Sequence, residues 1–145
     1  MSTNFLDVNI EWMEDARLRV SAKGNNLFID KLYEGGHKEA GFRPTELLMA
    51  GLGACTMGTV LAFCENMSIP VKKFSIHLRG KREPRPERLS EIRLSMTLEG
   101  NIPEDRIKTL RRVAKGCRVH YTLTHPPVIE LDLRVNQRHV GANSD

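Results

Sequence analysis

From Leu47 to Phe63 the chain carries no charged side chain, and its other residues must be arranged around that fact. The segment reads as a helix. Pro44 suits a first turn, where a missing N–H costs nothing. Glu46 complements the positive end of the helix dipole. The body runs to about Met67, and Ser68-Ile69-Pro70 ends it. A helix this apolar all round is buried on most faces. In a chain of 145 residues, one sheet gives it too little cover, which predicts a partner subunit. Gly51, Gly53 and Gly58 each cost about 1 kcal/mol of helix propensity against alanine. That cost predicts close backbone approach, as where two helices cross at a dimer core. The stretch is too short and soft for a membrane span.

The remaining chain divides into short elements. Val8–Trp12 and Leu18–Ala22 alternate apolar and polar residues, as strands do. Lys23-Gly24-Asn25-Asn26 makes a turn, and Leu27–Leu32 is a third strand. The glycines around His37 predict a loop. After the helix, Phe74, Ile76 and Leu78 mark one strand, and Ile92, Leu94, Met96 and Leu98 mark another. They pair antiparallel across the charged run Arg79–Arg88, read as a solvated hairpin loop. A second helix starts at Asn101-Ile102-Pro103-Glu104-Asp105. Its apolar face is Ile107, Leu110, Val113, Ala114 and Cys117. Tyr121–Pro127 reads as a turn, and Ile129, Leu131, Leu133 and Val135 as a last strand. The order predicts an α+β fold with antiparallel sheet, one domain over residues 4–135 and a flexible tail over 136–145.

Charge and targeting signals exclude several roles. The net charge is +4, from 22 basic and 18 acidic residues that are mostly interleaved. Aromatics are 6% of the chain and none interleaves with the basic run, so a nucleic-acid surface is not expected. The amino terminus lacks the basic and apolar regions of a secretory signal. A cytoplasmic, reducing compartment is expected, where structural disulfides are rare and redox-active thiols persist.

The candidate chemistry lies in Cys55 and Cys117. Small residues surround Cys55, with Gly51 a turn before and Thr59 a turn after, leaving room for a substrate. Cys117 closes the apolar stripe of the second helix, flanked by the cations Lys115 and Arg118. Its place at a helix C-terminus disfavours a thiolate. Two thiols on separate helices are the minimum for a sulfenic acid that condenses to a disulfide. Both are also compatible with inert packing. Cys55 lies deep in its helix and gains little from a terminus, so activation falls to Arg17, Arg19 or Arg43. Cys64, nine residues beyond Cys55, faces the opposite side of the helix and reads as a bystander. His37, His77, His120, His125 and His139 show no ligand spacing, and no metal or organic cofactor is implied.

The run Phe42-Arg43-Pro44-Thr45-Glu46-Leu47-Leu48-Met49-Ala50-Gly51-Leu52-Gly53-Ala54-Cys55 resembles the helix-start motif of the OsmC/Ohr family. Gly116-Cys117-Arg118-Val119 resembles its second cysteine motif. The resemblance spans residues 8–135. It implies a homodimer in which antiparallel sheets wrap two central helices, with active sites at the subunit interface. It implies a thiol peroxidase acting on organic hydroperoxides, with Cys55 as the attacking and Cys117 as the resolving cysteine. An external thiol would restore both. A second role is a dimeric protein that binds a small apolar ligand, its thiols slow. In the peroxidase branches a glutamate directly follows the proline and holds an activating arginine. Here that residue is Thr45, and Glu46 stands about 180° from Cys55 around the helix. Arg118 replaces a usual proline. Thr45 moves the chain toward the OsmC-like branch.

Overall fold

A computed structural model describes residues 4–13, 17–30 and 41–140. Strands β1 (Asn9–Trp12), β2 (Arg17–Ala22) and β3 (Asn25–Asp30) form an antiparallel sheet in that order. Its second turn is narrower than expected. Lys23 and Gly24 alone make it, with φ of 53° and 81°, and Asn25 and Asn26 already pair. Positive φ at both central residues matches the twist of the flanking strands. Leu32 and His37 lie outside the described residues.

Helix α1 (Pro44–Asn66) has the predicted start. The backbone N–H of Arg43 donates to the Glu46 carboxylate at 2.6 Å, half of a capping box. By length and composition α1 could cross a membrane, a test that the core helix of a soluble protein also passes. Here it packs on a long hairpin and on two shorter helices.

The hairpin is β4 (Val71–Glu83) and β5 (Arg88–Gly100). Phe74, Ile76 and Leu78 stand opposite Leu98, Met96 and Leu94, giving one apolar face. The charged run is not a loop. Pairing continues through Glu83 and Arg88, and only Pro84–Glu87 turn. Alternation explains it: the run's charges take the solvent face, where Lys81 pairs with Glu83 at 3.2 Å.

On α1, Leu52, Gly53, Thr56, Val60 and Cys64 are buried, an arc of about 120°. Gly53 lies against the hairpin so closely that an added Cβ would meet Leu78 Cδ1 at 2.7 Å. Gly51 and Gly58 meet nothing within 4 Å. Within one chain, then, Gly53 makes a close approach, and it is to the Leu78 side chain rather than to another backbone. Val60, Cys64, Ile69, Leu110 and Ala114 form the core.

A 3₁₀ turn (Glu104–Arg106) leads into α2 (Ile107–Lys115). Residues 118–124, expected to lie partly in a turn, form a third helix, α3 (Arg118–Thr124). The last strand is shorter than expected. Ile129 and Leu131 are unpaired and exposed, and only β6 (Leu133–Val135) pairs, with β7 (Arg138–Val140). Asn136 and Gln137, with φ of 50° and 63°, make a two-residue turn, so the expected tail begins as a hairpin. The α+β class with antiparallel sheets is the one the sequence predicts.

Candidate redox site

Cys55 and Cys64 flank the buried arc of α1 half a turn apart, and different neighbours cover them. Cys64 enters the core against α2, where burial pushes its thiol up. It takes no part in the site, as its phase predicts. Cys55 is half-buried and faces the start of α3.

Cys117 lies between two helices. Gly116 ends α2, and Cys117 caps α3. Its Sγ accepts the backbone N–H of His120 at 3.3 Å. The side chain is fully buried, 0% exposed. The sequence places Cys117 only at a helix C-terminus. It misses α3 because no conventional cap residue or acidic first turn announces that helix; the capping atom is sulfur.

The Cys55 thiol is held below its ordinary value. The Cys117 thiol contributes most by hydrogen bonding, followed by the backbone N–H of Val119. Burial opposes the shift, and the Arg118 N–H and the Thr59 hydroxyl add smaller support. Hydrogen bonds to a thiolate favour the charged form. Cys55 thus gains from a helix terminus after all, that of α3 rather than its own. The Thr59 hydroxyl also donates to the Cys55 carbonyl at 2.8 Å.

The three arginines proposed as activators are engaged elsewhere within the chain. Arg19 pairs with Glu11 at 2.7 Å, and the Arg17 guanidinium lies 6.0 Å from the centre of the Phe28 ring. Arg43 caps α1 twelve residues before Cys55, about 18 Å along the helix. None is among the causes of the Cys55 shift.

Two clefts open along the first half of α1, and neither cysteine lines them. One, of about 490 Å³, lies between α1, β5 and α3. Leu48, Leu52, Ile92 and Leu123 give it apolar walls, and His120 and Glu91 add polar edges. The other, of about 700 Å³, lies between the start of α1 and the β4–β5 turn and carries Arg43, Arg82 and Arg88. Thr45 is exposed and lines both. Glu46 is committed to capping.

A family model described as OsmC-like protein matches residues 35–132. Among curated proteins, the chain is 28% identical over 108 residues to a hydroperoxide reductase of Mycoplasma pneumoniae (strain ATCC 29342 / M129 / Subtype 1), covering 71% of this chain and 77% of that protein. Among solved structures it is similar to an OsmC like protein from Mycoplasma pneumoniae, with a TM-score of 0.74 and 25% identity, covering 86% of this chain and 91% of the other. A putative osmotic stress induced and detoxification response protein from Psychrobacter arcticus 273-4 shares the fold, with a TM-score of 0.71 and 19% identity over 83% of this chain and 90% of that one.

Proposed function

Because this chain belongs to the OsmC-like protein family, we propose that it reduces organic hydroperoxides through Cys55 and Cys117. The observation that carries this reading is the thiol pair itself: Cys55 half-exposed, hydrogen-bonded by Cys117 and held below its ordinary value. A Cys55 thiolate attacks the terminal oxygen of ROOH. An S–O bond forms, the O–O bond breaks, and the alkoxide leaves with a proton as ROH. Cys117 then attacks the sulfenic sulfur; an S–S bond forms and water leaves. An external dithiol returns two electrons and two protons. The apolar cleft beside α1 and α3 is the path for the R group.

The reading includes a homodimer. The chain presents 12576 Å² of accessible surface, against about 7,500 Å² for a compact monomer of its 16.4 kDa. Ile10, Trp12 and Phe28 on the first sheet are exposed, as are Val128, Ile129 and Leu131. A second copy gives these a place to bury, and it offers a route for an arginine to reach Cys55.

Stopped-flow oxidation of the reduced protein by tert-butyl hydroperoxide tests the reading. The expected result is one Cys55–Cys117 disulfide within a chain, with Cys64 free, and no oxidation in Cys55→Ser. A disulfide that includes Cys64, or no disulfide after complete reaction, contradicts it. Saturable binding of a fatty acid with no thiol oxidation would instead favour a ligand-binding role.

A further inference from the structure

A thiolate that splits ROOH expels an alkoxide, which is a strong base. A proton donor at the leaving oxygen lowers that barrier. The displacement is in line, so sulfur, terminal oxygen and leaving oxygen share one axis. The leaving oxygen therefore lies with the R group, on the far side of the terminal oxygen from sulfur. The Cys117 thiol hydrogen-bonds the Cys55 sulfur itself and so sits on the attacking side. The donor has to come from the walls of the apolar cleft.

Those walls run toward Cys55. Thr45, Leu48 and Leu52 supply the α1 side. Cys55 continues that stripe, about 4.5 Å beyond Leu52 along the axis and about 60° around it. Opposite stands the first turn of α3. Its Arg118 and Val119 N–H groups act on Cys55, and its His120 N–H reaches Cys117 Sγ at 3.3 Å. The half-buried His120 brings that same turn into the cleft lining. Its ring makes no hydrogen bond among the described residues. The other polar groups of the cleft are poor acids. Thr45, Ser90 and Thr124 offer hydroxyls, which do not give up protons near neutral pH. Glu91 is hydrogen-bonded to Arg93 at 2.5 Å, which holds its carboxyl below the usual range and leaves it no proton to give. Histidine is the side chain that exchanges a proton near neutral pH.

We propose that His120 is the acid that protonates the alkoxide leaving when Cys55 reduces a hydroperoxide. The proposal rests on the thiol cycle above. As the S–O bond forms at Cys55, the O–O bond breaks and its electron pair goes to the leaving oxygen. The His120 imidazolium gives its N–H proton to that oxygen. Cys55 becomes a sulfenic acid, and the substrate departs as ROH. The neutral imidazole then regains a proton from solvent. The hydroperoxide is the only oxidant, and sulfur supplies both electrons.

Two oxidants with different leaving groups test this. tert-Butyl hydroperoxide expels tert-butoxide, which needs a proton. Peracetic acid expels acetate, which is stable without one. Stopped-flow oxidation of Cys55 is followed with each, in the reduced full-length protein and in His120→Gln. The ratio of the tert-butyl hydroperoxide rate to the peracetic acid rate is expected to fall at least about tenfold in the variant. Alkylation of Cys55 by iodoacetamide, which reads the thiolate alone, is expected to keep its pH dependence. In His120→Ala, added imidazole is expected to raise the rate with tert-butyl hydroperoxide and not with peracetic acid. An unchanged ratio in His120→Gln, whether both rates fall or neither does, overturns the proposal and leaves the thiol cycle standing. If imidazole raises both rates of His120→Ala equally, the proposal is likewise overturned. Failure of both oxidants to oxidise Cys55 in the wild-type protein overturns the cycle and the proposal together.

Discussion

At the residue scale, the Cys55 thiol is held low first by Cys117 and then by the Val119 backbone, and no cation is among the causes. Replacing Cys117 by alanine removes the largest contribution that lowers the Cys55 thiol. The pH at which Cys55 alkylates with iodoacetamide should therefore rise, and the sulfenic acid should persist for trapping. In the native protein Cys55 should alkylate at lower pH than Cys64, whose burial works in the other direction. The sign for folding follows: Cys55 adds stability as pH climbs past its lowered value toward the unfolded one, whereas Cys64 costs stability above the unfolded value. Thr45 sits at the mouth of both clefts and supplies no charge. Thr45→Glu should speed peroxide reduction only if an arginine from a second copy comes within reach. Otherwise the new carboxylate, about 15 Å from Cys55 along α1, should leave the thiol where it is, and no rate gain follows. Thr56 is a separate matter. It is 1% exposed and its hydroxyl has no hydrogen-bond partner among the described residues. Thr56→Val should stabilise the protein by about 1 kcal/mol, read as a rise in denaturation midpoint, because an unpaired buried hydroxyl costs about that much or more.

At the element scale, what is legible in the sequence depends on how many residues share one signal. Helix α1 has a proline, an acidic first turn and an uncharged run from Leu47 to Phe63, and its bounds come out nearly as read. The strand faces at Phe74–Leu78 and Ile92–Leu98 repeat with period two and are equally clear. Helix α3 has seven residues and a cysteine cap, too few to show a period. That loss mattered most, because its first-turn amides hold Cys55, and the sequence therefore sends the search for activation to distant arginines. The hairpin β6–β7 turns on Asn136-Gln137 without glycine, and its positive φ values are invisible in composition. Gly53 gives a test of this scale. A Cβ there meets the tip of the Leu78 side chain. Gly53→Ala gains about 1 kcal/mol of helix propensity and loses about 1–3 kcal/mol to overpacking, so chemical denaturation should find it neutral to destabilised.

At the scale of the whole molecule, the apolar all-round helix remains half explained by one chain. Its hairpin side is filled. On the other side Ala50, Gly51, Ala54 and Gly58 form an exposed arc of small residues, with Leu61 exposed beside them. No strand of the first sheet packs along the helices or the long hairpin as α1 packs along β4. Both features call for a second copy that buries well over about 2,000 Å² in total. Sedimentation at micromolar concentration should then show a dimer, and a folded monomer would refute this. Gly58→Ala separates the cases by sign. With nothing within 4 Å of the added Cβ, a free monomer should gain about 1 kcal/mol from helix propensity. If a second α1 crosses at this arc, the methyl group instead forces two backbones apart. The dimer should weaken, with a concentration-dependent loss of thermal stability that Gly53→Ala, buried against its own hairpin, does not share.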